Sequence, residues 1–161
     1  MGVFHDGTGS ATDEFASLVE VQGTATYRGS AAGNFALDSG TGGAFTATAT
    51  LEVDFGGSTE PGTVEGTVDE FTVDGEMKPW SVELQAAAII GSDGAIRAGG
   101  GSTALTYWTV DEETAANAAI WSGQFHDVNE DWVPSVATGT FEAVHGDTRR
   151  MSGAFGTNLQ P

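Results

Sequence analysis

The chain has 161 residues, enough for one domain with a core of useful size and short for two. Its 23 acidic residues against five basic ones leave a formal charge of −18, which argues against nucleic acid and anionic membranes as partners. There is no cysteine, which excludes disulfides and thiolate chemistry, and no run approaches the ~20 apolar residues of a membrane span. Gly, at 24 residues, is the commonest type, with Ala and Thr abundant and Leu scarce, a composition suited to short strands and tight turns. The acidity reads first as solubility, and second as attraction for a cationic partner.

In chain order, residues 1–22 read as a flexible leader, Gly- and Ser-rich at its start, and residues 23–161 as a single domain. "MGVFHDGTGS" lacks the basic start and apolar centre of a signal peptide, and Asp6 departs from a myristoylation pattern. Weak strand signals stand at Gly23–Gly29 and Ala32–Leu37. The clearest segment is "AFTATATLEVDF", where Phe45, Ala47, Ala49, Leu51, Val53 and Phe55 alternate with Thr, Glu and Asp, as on a half-buried strand. Further alternating runs begin at Thr63 (Val64, Gly66 and Val68 aligned), Trp80 (with Val82, Leu84 and Ala86), Ala118 and Ala137; shorter ones lie at Ala95–Gly99 and in the closing "MSGAFG". Turn chemistry separates them: "SGTGG", "GGSTEPG", Asp74-Gly75, Asp93-Gly94 and "HGDT".

Two stretches break the alternation. "DEETAANA", Asp111–Ala118, is acidic at its start and Ala-rich at its end, which predicts a short helix. "HDVNEDWVPS", His126–Ser135, predicts a polar loop. Eight or nine strands joined by short turns predict an all-β fold, an eight-stranded antiparallel up-and-down β-barrel with a short helix before a late strand. Gly123 in "WSGQF" and Gly153 in "MSGAFG" sit between large apolar residues, as where a strand coils or a large neighbour needs room.

Catalytic furniture is sparse. His5, His126 and His145 share no metal-ligand spacing, and no nucleophile elbow or phosphate-cradling loop is present. Asp127, Asn129 and Asp131 match the first, third and fifth positions of a calcium loop, but Trp132 stands where Gly is required and Thr138 where the closing Glu belongs. Tyr107, Trp108 and Trp132 are aromatics beside the expected helix or in a polar loop, which favours either docking anchors or plugs for the end of a barrel. His126, close to Trp132 in sequence, completes the candidate binding set and is the single His that would serve as an axial haem ligand.

"GTATYRGSAAGNFAL", "GGAFTATATLEVDFG", "GTVEGTVDEF", "WSGQF", "ATGTFEA" and "MSGAFGTNLQ" together, in this order, resemble the β-barrel domain of transferrin-binding-protein-B-like surface lipoproteins of Gram-negative bacteria. The resemblance covers Gly23 to Gln160 and takes the first motif as an opening strand pair. It implies an exported, cell-surface or secreted, non-catalytic domain that binds a protein or small-molecule ligand at its end loops, in iron or haem acquisition. The chain departs from that family in having length for the barrel alone and no lipobox Cys, so a lipid anchor would belong to a missing leader. The alternative is a small-molecule barrel, a haem carrier using His126 or an enzyme shaping an apolar substrate in the lumen.

Overall fold

The computed structural model describes residues 23–37, 40–56, 62–90, 94–99, 102–110, 112–115, 117–128, 133–146 and 148–161; the leader expected over 1–22 lies outside them. The described residues form β1 (Thr24–Ala36), β2 (Gly42–Asp54), β3 (Thr63–Val73), β4 (Glu76–Lys78), β5 (Trp80–Ile90), β6 (Ala95–Arg97), β7 (Leu105–Val110), β8 (Glu113–Thr114), β9 (Ala119–Val128), β10 (Pro134–His145) and β11 (Arg149–Leu159). Eight of them, β1, β2, β3, β5, β7, β9, β10 and β11, form a ring in which each strand hydrogen-bonds antiparallel to the next and β11 closes on β1. The three short strands are ribs on this ring: β4 extends β3, β8 extends β7, and β6 joins β5 to β9.

The all-β, antiparallel expectation therefore holds, with two corrections. Gly23–Gly29 and Ala32–Leu37 are one continuous strand, β1, rather than a pair. Gly29 does not break it, because Ser30 and Ala31 keep their register with both neighbours. The helix expected over Asp111–Ala118 is absent among the described residues. The chain instead folds back on itself: Glu112 has φ 70°, β8 pairs with β7 through Thr109↔Thr114 and Val110↔Glu113, and the Ala115 N–H donates to the Trp108 carbonyl at 2.9 Å. So short a segment nucleates a helix poorly, whereas pairing with β7 satisfies its backbone at once and buries Ala115.

Alternation sets which side chains enter the ring. In β2, Phe45, Ala49, Leu51, Val53 and the following Phe55 are buried, and Ala47 packs against them half-buried. Two bulges reset that alternation. In β3 the register shifts between Thr46↔Thr72 and Thr48↔Asp69, with Glu70 at φ 54°, so the inward side passes from Val64 and Val68 to Phe71 and Val73. Opposite Glu65, β5 carries the extra residue: Val64 pairs with Ala87 and Gly66 with Leu84, so Ala87 is buried rather than the expected Ala86. The carbonyls at this second bulge are used, Gln85 O accepting from the Trp121 indole at 2.8 Å and Ala86 O from the Ala104 N–H at 3.0 Å.

Gly123 of the first Gly-centred motif lies on β9, where a Cβ would sit 2.6 Å from the Thr138 carbonyl oxygen, and Gly153 of the second finds its reason in the pairing of β10 with β11. Gly153 lies opposite Phe141, and Gly139 lies opposite Phe155. A Cβ on Gly153 would meet the Phe141 ring at 2.9 Å, and one on Gly139 would overlap the Phe155 ring, so each phenyl lies over the glycine facing it. Gly33, beside Gly153 on β1, is tighter still: a Cβ there would overlap the Ser152 carbonyl oxygen and sit 2.6 Å from the Gly153 Cα. Around Gly156, by contrast, a Cβ meets nothing. Gly33→Ala is therefore expected to cost about 1–3 kcal/mol, the range of overpacked cores, while Gly156→Ala changes stability by less than about 0.5 kcal/mol. Thermal melts of the two variants check this.

Candidate functional site

The interior of the ring is filled. One line of rings runs Phe141, Phe45, Phe71, Trp80, Trp108, with successive centroids 6.3, 5.0, 5.8 and 5.7 Å apart. A second group joins Phe55, Phe125 and Tyr27, and Trp121 packs on Phe155. These side chains are all buried.

Against this interior the four expected binding residues separate. Tyr107 and Trp108 lie on strand β7 rather than on a loop, so alternation sends them to opposite sides: Tyr107 faces outward, half-buried, opposite Glu83 of β5, and Trp108 points inward with no exposure. His126 extends β9 on its outward side, next to the buried Phe125, and its Nε2 is 2.9 Å from Thr138 Oγ1 on β10. It is directed away from the interior in which an enclosed haem would sit. Trp132 lies outside the described residues, as do His5, Asn129 and Asp131. Tyr107 and Trp108 are the two central residues of β7, while His126 is near the end of the ring where β9 passes to β10. No group of three or more His, Asp or Glu side chains able to hold a metal ion occurs among the described residues.

His145, which sequence reasoning left as a strand-end residue, takes part in a latch at the Trp108 end. Its Nε2 is 2.9 Å from the Glu113 carbonyl and its ring stands edge-on to Trp108, 6.3 Å between centroids. Next to it the Asn117 side chain and the Gly146 backbone exchange two hydrogen bonds at 3.1 Å. The latch holds the β7–β8 reversal over the end of the core. The Trp108 indole N–H, buried beneath, has no hydrogen-bond partner among the described residues.

The concave features lie on the outer face. Where β9, β10, β11 and β1 run side by side, two adjoining depressions of about 460 and 440 Å³ share Asn34, Glu142 and Ser152. Those three side chains stand abreast, since Asn34 pairs with Ser152 and Ser152 with Glu142. Arg150 enters the second depression one step along β11, and Ile120, 60% exposed, borders the first. Nothing in the sequence announced this arrangement, because Asn34 is over a hundred residues from Glu142 and Ser152 and meets them only through strand register. No protein-family model, curated protein or solved structure matches the chain.

At the opposite end of β1, the Tyr27 hydroxyl donates to the Pro134 carbonyl at 2.6 Å, and burial pushes the phenol well above its ordinary range. Folded Tyr27 thus keeps its proton at pH values where the unfolded chain, with a phenol near the ordinary value of about 10, releases it. The sign follows: stability is independent of this group below about pH 10 and falls as pH rises above it, by at most ~1.4 kcal/mol per pH unit. Tyr27→Phe should lower stability by about 1–2 kcal/mol near neutrality, through the orphaned carbonyl, and remove this alkaline component. Urea midpoints of both proteins between about pH 8 and pH 11 test both effects.

Proposed function

We propose that the chain is a non-catalytic binding domain, an up-and-down barrel of the transferrin-binding-protein-B-like kind, displayed at the surface of a Gram-negative cell or secreted, serving iron or haem acquisition by docking a partner. The observation that carries this reading is the filled interior. A ring of eight strands leaves a lumen just wide enough for side chains or for one small ligand. Here Phe45, Phe71, Trp80, Trp108, Phe125 and Phe141 occupy it. Recognition then belongs to the outer face and the end loops, where Tyr107 and His126 are accessible in part. The order of strand motifs along the chain supports the family and, with it, export.

The alternative, a carrier or enzyme with its ligand in the lumen, needs room that these rings take up and a ligating His that faces inward. Titration of the purified protein with hemin separates the two readings. Docking predicts no saturable change in the Soret band. A saturable, red-shifted band lost in His126→Ala would replace docking with a haem-binding role.

A further inference from the structure

The depression of about 440 Å³ on the outer face is lined by both signs of charge, Arg150 and Glu142. Among the described residues, Arg28 is bound to Glu70 at 3.2 Å and Lys78 to Glu76 at 3.8 Å, but neither Arg150 nor Glu142 joins an ion pair. Register explains why. Directly opposite Arg150 stand Ala36 on β1 and Val144 on β10, which offer its guanidinium no side-chain acceptor. Opposite Glu142 on β11 stands Ser152. The two charges are diagonal neighbours across β10 and β11, roughly 7–8 Å apart between Cα atoms, yet the two side chains are not joined to each other, so a ligand with both charges can bridge them.

The rest of the lining suits such a ligand. Asn34 and Ser152 supply neutral donors and acceptors beside the two charges, and Ala36, Ala119 and Val144 supply apolar wall. Long-range electrostatics narrow the class. A chain of formal charge −18 repels a net anion, so a lone carboxylate would reach Arg150 only against the field, whereas a molecule of zero net charge meets no such barrier. The ligand that satisfies both local charges under that field carries one carboxylate and one ammonium group a few ångströms apart.

We propose that this depression is a binding site for small zwitterions of the α-amino-acid class. Arg150 and Asn34 receive the carboxylate, Glu142 and Ser152 the ammonium, and the side chain lies on the Ala36–Val144 wall. The inference deepens the reading of the domain as a binding module and rests on it.

Isothermal titration calorimetry of the full chain tests the site, using alanine, leucine and glutamine together with their N-acetyl and carboxamide derivatives. A free amino acid is expected to bind saturably, and both derivatives of that amino acid at least about tenfold more weakly, the scale of one lost charge-assisted hydrogen bond. Arg150→Gln should bring the free amino acid down to the level of its carboxamide, and Glu142→Gln to the level of its N-acetyl form. Both side chains are exposed, so an unchanged melting temperature accompanies either loss. Absence of saturable heat at millimolar concentrations, equal binding of the blocked derivatives, or wild-type binding by both variants would overturn the site. If the calorimetry is negative and hemin is also silent, this site is lost while the docking module stands; a saturable hemin response removes the module itself.

Discussion

The structure depends on the pairing of its first and last strands. β1 and β11 run together from Tyr27↔Leu159 to Ala36↔Arg150, and the inward positions of β1 along that seam include Gly29 and Gly33. Any side chain at either glycine would overlap the backbone of β11, at the Gly156 and Ser152 carbonyls respectively. Backbones that close cannot be separated by a Cβ, so the ring closes there only because no side chain is present. Space left empty by glycine must then be filled from elsewhere, since an unfilled gap forfeits its contacts. Phe141 and Phe155 do so from neighbouring strands, lying over Gly153 and Gly139. Tight closure and an aromatic interior are thus two sides of one constraint, and together they move recognition to the outside of the ring.

The opposite side of the ring is joined differently. β7 and β9 share only the pairs Leu105↔Ile120 and Thr106↔Ala119. Other bonds make up for so brief a ladder: the Trp121 indole reaches the β5 bulge at Gln85, the Trp121 backbone N–H donates to Ala104 O, and the buried Thr106 hydroxyl donates to the Glu142 carbonyl at 2.6 Å. That last bond fixes the backbone of Glu142 from the inside while its carboxylate stands outside. The core and the outer depression are therefore linked through one residue, with the rigid face supplied by the core.

Charge is unevenly spread over the outer face. One row crossing β2, β1, β11, β10 and β9 reads Thr46, Ala32, Ala154, Thr140, Ser122, with no ionisable group. Carboxylates collect instead on the β3 and β5 side, at Glu65, Asp69 and Glu83. For so acidic a chain, a neutral strip of short side chains lowers the local repulsion that any ligand or partner must overcome. The proposed zwitterion site adjoins this strip, with Glu142 and Arg150 as its charged border.

Much of this was legible in the residues. Period-two alternation located β2, β3, β5, β9, β10 and β11, because a strand half-buried in a ring must alternate, and Asp74-Gly75 turns as its chemistry requires, with φ of 52° and 82°. The Gly-centred motifs announced close approach, which Gly153 shows against the Phe141 ring and Gly123 against the Thr138 carbonyl. What the residues could not decide was anything set by register. Gly23–Gly29 and Ala32–Leu37 read as two short strands yet form one, because Ser30 and Ala31 keep their pairing with β2 and β11. The acidic, Ala-rich segment after β7 read as helix yet pairs as β8, because a neighbouring strand satisfied its backbone first. Tyr107 and Trp108 read as one aromatic patch but face opposite sides, and the bulges at Glu70 and in β5 reset which residues point inward. Glu142, Arg150 and Ser152 share one hairpin, but Asn34 joined them only when the last strand paired with the first. Local sequence determines what a segment can be; which distant side chains share one surface is fixed by the cross-strand register that closing the ring imposes.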